Sequence, residues 1–171
     1  FGVPQRRKRY FVLACKESKW ELSIPEPDEK KVVTVKEALA GLPNVIPNSN
    51  EEGKAYEGKE SEYSKKMKDL KFWKRFDFNN ELTYHMPMKH RTYTLERFNL
   101  LNQGESLKDL FNRYTGEERI QLQKRRVLPK KMFIKRNYRL IEKQPSPTVT
   151  SHCLDEFVHP IYNRALTVRE C

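Results

Sequence analysis

The sequence predicts an α+β fold of modest size, with short strands and helices in a small irregular module and an isolated strand and helix ahead of it. Three observations predict this. Apolar runs are brief (10–14, 132–134 and 138–141) and lie between Pro, Gly and charged residues, the pattern of short strands. Ser or Thr followed three residues later by Glu or Asp recurs at Thr34/Glu37, Ser106/Asp109 and Thr167/Glu170, the signature of helix starts. Strand and helix signals do not alternate along the chain, so a complete doubly wound sheet is not expected.

Charge narrows the partner class. The 171 residues carry a net charge of +11, with 33% charged and 37% hydrophobic side chains, so much of the chain must be solvated surface, loop or contact surface for a polyanion. The excess is concentrated: residues 1–60 hold 11 basic and 10 acidic side chains, whereas 61–139 hold 20 and 9. This asymmetry is the footprint of a nucleic-acid surface, where each phosphate met by Lys or Arg releases counterions. No apolar run reaches transmembrane length and no signal-peptide core is present, which argues against a membrane. Cys15, Cys153 and Cys171 are scattered without CxxC spacing, as in a reducing cytoplasm, and no zinc site is indicated. His85, His90, His152 and His159 also lack ligand spacing.

Taken in order, the chain opens on four cations, Arg6, Arg7, Lys8 and Arg9, running into the apolar stretch 10–14, which reads as a buried strand. Pro25 and Pro27 break a polar loop, and the Thr34/Glu37 box starts a helix that Gly41 and Pro43 stop. Residues 44–60 read as a linker and domain boundary. An amphipathic helix is expected over 60–76, a second from Thr94 or Leu95 to Leu101, and a third from Leu107 to Phe111 capped by Ser106. Residues 124–139 hold eight cations and no acid, and the runs 132–134 and 138–141 suggest a basic hairpin. Residues 146–151 form another extended piece, and Thr167/Glu170 begins a helix as the chain stops. Both ends read as severed elements of a longer protein.

With these residues laid out, Gln5-Arg6-Arg7-Lys8-Arg9 resembles the Gln-x-Arg-x-Arg block of DNA (cytosine-5)-methyltransferases, and Arg164-Ala165-Leu166-Thr167-Val168-Arg169-Glu170 resembles the next block, Arg-x-Leu-Thr-x-Arg-Glu. The stretch 34–43 is similar to the TVxEAIxxLP segment that follows the Arg block in many members, and Thr148-Val149 to the Thr-Leu or Thr-Val dipeptide of the target recognition domain. The resemblance implies residues 1–43 as a strip of the α/β catalytic domain, 44–60 as a linker, 61–163 as the recognition domain and 164–171 as the start of the following block. It implies a bacterial, cytoplasmic enzyme, of restriction-modification type, that methylates carbon 5 of a cytosine flipped out of duplex DNA, with S-adenosylmethionine as donor. The chain lacks the Phe-x-Gly-x-Gly loop, the Pro-Cys block and the Glu-Asn-Val block, so the fragment is expected to bind no cofactor and to be inactive without the missing catalytic portion.

By the same resemblance Arg7 and Arg9, which alternate along an extended segment and share a face, contact the cytosine and neighbouring phosphates. Gln5 braces the loop and Thr148 meets the backbone of the target nucleotide. Arg164 ties the recognition domain to the catalytic one, and Thr167 and Glu170 cap a helix. Lys124, Arg125, Arg126, Lys130, Lys131, Lys135 and Arg136 are expected to grip phosphates. Base readers could come from Arg91, Arg113, Gln121, Gln123, Arg125, Arg126 or Asn137. A stand-alone basic adaptor for RNA or the ribosome is the alternative.

Overall fold

In the computed structural model, which describes residues 3–12, 14, 16, 32–69, 82–131, 136–150 and 152–171, local capping sets where most helices begin. Helix α1 (Val35–Leu39) starts at Thr34: its Oγ1 accepts the Glu37 N–H at 3.3 Å, and Glu37 Oε2 accepts the Thr34 N–H at 2.8 Å. Helix α2 (Glu62–Lys68) starts at Ser61, whose hydroxyl accepts the Ser64 N–H and donates to the Glu37 carbonyl at 2.6 Å, tying α2 to α1. The second half of the helix expected over 60–76 lies outside the described residues. Helix α3 (Thr92–Leu100) begins earlier than the sequence suggests. Helix α4 (Leu107–Arg113) has the expected Ser106/Asp109 box and runs two residues past Phe111. Helix α5 (Gly116–Lys124) is unannounced in the sequence, because Leu122 is its one buried position and no periodic apolar face marks it. A short α6 (Cys153–Glu156) follows later.

The strands are few and their pairing is non-local. Strand β1 (Tyr138–Arg139) runs parallel to β2 (Phe157–Val158), with Tyr138 opposite Phe157 and Arg139 opposite Val158. The basic hairpin is corrected by this arrangement. Its first strand, 132–134, lies outside the described residues, and both edges of β1 are already taken. Leu140 donates its N–H to Val158 on one edge, while on the other Arg139 N–H donates to Glu105 and Gly104 N–H to Arg139, both at 2.9 Å. The buried strand expected at 10–14 is corrected as well: residues 10–12 have no strand partner among the described residues, and Tyr10, Phe11 and Val12 are exposed.

Two apolar clusters form the core. The larger joins α3, α4 and α5 through Phe98, Leu101, Leu107, Leu110 and Leu122, with Val127, Leu128 and Val158; the smaller joins Val35, Leu140, Phe157 and Leu166. Strand β2 serves both, because neighbouring strand residues point to opposite faces. The irregular stretch 44–60 is packed: Val45 is buried, Gly53 N–H donates to the His85 carbonyl, and Leu82 N–H donates to that of Lys54.

Buried polar groups fix the C-terminal segment. His85 is fully buried between the Pro43 carbonyl (2.8 Å) and Thr167 Oγ1 (3.0 Å). Arg164 forms a buried fork with Glu170, both contacts 2.7 Å. Glu170 also accepts the Thr167 N–H at 2.9 Å, so the expected Thr167/Glu170 box is present and a turn closes with Cys171 N–H on the Thr167 carbonyl. Burial pushes Glu170 up, but the Arg164 guanidinium, helped by His159 and the Thr167 N–H, holds the carboxyl below its usual range. His159 accepts the N–H groups of Ile161 and Tyr162 at Nδ1 (3.1 and 3.0 Å), and burial pushes its imidazole down to about 3.

This buried cluster sets the stability of the C-terminal segment. Arg164→Met leaves Glu170 buried without its partner and costs about 3–5 kcal/mol in urea unfolding, whereas the Arg164→Met/Glu170→Leu double variant recovers most of that loss. For pH, His159 is neutral when folded and takes a proton on unfolding between its ordinary 6.5 and about 3, so stability is full above 6.5 and falls as pH drops through that window. His159→Asn keeps an acceptor for the two N–H groups and should flatten the slope by about one proton between pH 4 and 6. An unchanged slope would contradict the assignment.

Candidate nucleic-acid interface

The cationic block and the 146–148 segment are brought side by side by main-chain hydrogen bonds. Gln5 and Ser146 form a parallel bridge, in which Arg6 N–H donates to the Ser146 carbonyl and Ser146 N–H to that of Pro4, both at 2.8 Å. Thr148 Oγ1 donates to the Arg6 carbonyl at 3.1 Å. Two segments 142 residues apart in sequence therefore share one ladder. Gln5 N–H donates to the Val3 carbonyl at 2.7 Å, and Thr148 holds the Arg block at the Arg6 carbonyl. Arg7 and Arg9 are exposed, as are Arg6 and Lys8.

An extended segment sends alternate side chains to opposite faces. Here Arg6 and Lys8 line a cleft of ≈ 620 Å³ with Tyr138, Ile141, Thr148 and Phe157, while Arg7 and Arg9 are outside its lining. The cleft does not suit S-adenosylmethionine. Its charged wall sets two cations, Arg6 and Lys8, against one carboxylate, Glu156, which already accepts the Thr150 hydroxyl at 2.7 Å; a sulfonium cation would meet like charge. The same wall favours phosphate.

The second cationic patch is built on the end of α5. Lys124, Arg125, Arg126, Lys130 and Lys131 are all exposed there; Arg136 is exposed farther along, its carbonyl accepting the Leu107 N–H, and Lys135 lies outside the described residues. Arg97, a residue that sequence reasoning missed, holds this patch from inside. Its Nε donates to the Val127 carbonyl (2.6 Å), one terminal nitrogen to the Arg126 carbonyl (3.1 Å) and the other to Asn137 Oδ1 (3.1 Å). Nothing in the sequence distinguishes Arg97 from a surface arginine, since its acceptors lie 29 to 40 residues away. Arg139, part of the run expected to grip phosphate, is corrected: it is buried and donates to the carbonyls of Phe98 (2.5 Å) and His159 (2.8 Å) and to Asn163 Oδ1 (2.6 Å).

The helix end itself is strained. Val127 N–H donates to the Leu122 carbonyl and Arg126 N–H to that of Gln123, the paired bonds of a Schellman stop. Arg126 occupies its left-handed position at φ 64°, where Gly is usual. Six of the seven suggested base readers already have partners. Arg91 donates to the Tyr93 hydroxyl, Arg113 to Glu105, Gln121 to Glu117 and Gln123 to the Pro129 carbonyl, while Arg125 pairs with Glu96. Asn137 is buried, with its amide donating to the Asp155 carbonyl. The Arg126 side chain makes no hydrogen bond or ion pair among the described residues.

Among the described residues no helix is long and apolar enough to cross a membrane, and no group of three or more His, Cys, Asp or Glu side chains could hold a metal.

The family model for the C-5 cytosine-specific DNA methylases matches residues 1–171. The type II methyltransferase M.DdeI of Desulfomicrobium norvegicum is 26% identical over 175 residues, covering 99% of this chain and 40% of the relative, so the chain spans about two-fifths of that protein's length. A solved chain described as a DNA modification methyltransferase encoded within an E. coli prophage is 22% identical, with a TM-score of 0.43 over 81% of this chain and 34% of its own. Since the family model runs from the first residue to the last, across the Arg block and the Thr148 segment alike, the chain belongs to the C-5 cytosine-specific DNA methylases.

Proposed function

We propose that this chain is the DNA-holding, target-recognition portion of a DNA (cytosine-5)-methyltransferase that acts on a cytosine flipped from duplex DNA, in a bacterial restriction-modification system. The observation that carries the reading is the ladder joining the Gln5–Arg9 block to Ser146 and Thr148. It gives two patterns of the family a common frame, as joint work on one nucleotide requires. Family membership turns the reading away from an RNA or ribosome adaptor.

In this reading Arg7 and Arg9 reach the extruded base and its phosphates, and one guanidinium donates to the ring carbonyl, where negative charge develops during attack. Thr148 keeps the block in register and borders the target backbone. Lys124, Arg125, Lys130, Lys131 and Arg136, with Lys135 beside them in sequence, supply phosphate contacts that give affinity and orientation. Residues 61–163 act as the recognition module and 1–43 as the edge of the catalytic domain. The remainder of the enzyme, in the same chain or a separate subunit, supplies the nucleophile and the S-adenosylmethionine site; when bound there, that cofactor donates the methyl group. The chain alone holds DNA without modifying it.

Binding of the 171-residue chain to a labelled duplex, followed by fluorescence anisotropy across a salt series, should show a steep fall in affinity with salt. Lys130→Ala/Lys131→Ala should reduce the log–log slope by about 2, near 0.9 for each phosphate that is no longer neutralised; a flat salt profile would sink the phosphate-grip reading. Arg7→Ala/Arg9→Ala should weaken binding most for duplexes in which the target cytosine is mispaired and so easier to extrude. Transfer of labelled methyl groups to DNA by the isolated chain would contradict its proposed incompleteness.

A further inference from the structure

Resting on that reading, we infer that Arg126 is a sequence-determining residue that reads a guanine in the major groove of the target site. Three independent observations carry the assignment. First, Arg126 is the one member of the suggested set whose side chain makes no hydrogen bond or ion pair among the described residues. It can reach a base without breaking a contact already made. Second, its backbone is held at φ 64° in the C′ position of the α5 stop. Gly adopts that conformation without strain and any side chain makes it costly, so the presence of Arg there calls for a gain elsewhere. Third, its main chain is immobilised from below: Arg97 donates to the Arg126 carbonyl at 3.1 Å and to the next carbonyl, Val127, at 2.6 Å. A reading residue needs such an anchored backbone, because a bidentate contact tolerates little displacement.

The setting and the side-chain chemistry name the ligand. Lys124, Lys130 and Lys131 are exposed and lie within five residues of Arg126 in sequence, where they would carry phosphates along a groove while the long guanidinium reaches a base edge. In the major groove guanine alone presents two acceptors, N7 and O6, spaced for the guanidinium fork. Lysine carries the same charge without the fork, so the two cations can be told apart by experiment.

A pool of duplexes randomised around a central cytosine, bound by the 171-residue chain and sequenced, tests this. The wild-type chain should enrich guanine at one fixed position, by between about five-fold and about a hundred-fold over the other bases. Arg126→Lys should lose that enrichment while keeping preferences elsewhere. Arg126→Gly should lose it too, and its urea midpoint should rise because the left-handed backbone is relaxed. Retention of the guanine enrichment by both variants, or uniform weakening with every preference intact, would overturn the inference. Wild-type binding without any base preference would overturn it alone, whereas failure of the wild-type chain to bind duplex would remove the functional reading beneath it.

Discussion

Arg139 is a full positive charge placed where the chain admits almost no water, and carbonyl oxygens surround it. Its guanidinium reaches α3 through the Phe98 carbonyl and the C-terminal segment through His159, Tyr162 and Asn163. Burial disfavours the charge and lowers its pKa; the arrangement persists because a planar fork satisfies several backbone acceptors that would otherwise be buried without donors. Its two neighbours extend the consequence. Asn137 accepts Arg97, which holds the loop carrying Arg126, and Tyr138 walls the cleft beside Arg6 and Lys8. Three consecutive residues thus connect the core, the loop after α5 and the cleft, so the relative placement of the two cationic faces is set inside the protein.

What was legible in the sequence was local. The Thr34/Glu37, Ser106/Asp109 and Thr167/Glu170 boxes all form, because each depends on groups three residues apart. The strand at 138–139 was legible for the same reason, but its partner was not: parallel pairing with 157–158 is chosen by tertiary packing, and a hairpin is the nearer guess. Helix α5 was illegible because tertiary contact, through Leu122 and the Arg97 brace on the loop beyond, does the work that an apolar face does in other helices. In the candidate site, the run of cations pointed to the Arg block, and the family resemblance pointed to Thr148. They could not reveal that Thr148 acts on the backbone of that block.

Net charge is a poorer guide to binding than its distribution after folding. Arg97, Arg139 and Arg164 contribute to the +11 yet face carbonyls or a buried carboxylate, and Arg113 and Arg125 are paired with Glu105 and Glu96. Among the exposed cations, those of the opening block and of the loop after α5 are the densest in sequence, while Lys36, Lys54, Lys89, Lys108 and Lys143 are scattered between them. A polyanion meets two dense groups of charge on a thinner background, and uneven charge defines an orientation that a uniform coat does not.

The bridge at Gln5 and Ser146 carries a consequence for how this surface can change. In an extended segment, sliding the pairing by one residue turns every side chain to the other face. One inserted or deleted residue between Gln5 and Lys8 would therefore exchange the cations in the cleft for those outside it, with the composition of the block almost unaltered. Substitutions within the block are graded in their effects, but changes of length are all-or-none. Variation among related chains should accordingly be tolerated in the letters between the arginines and refused in their number.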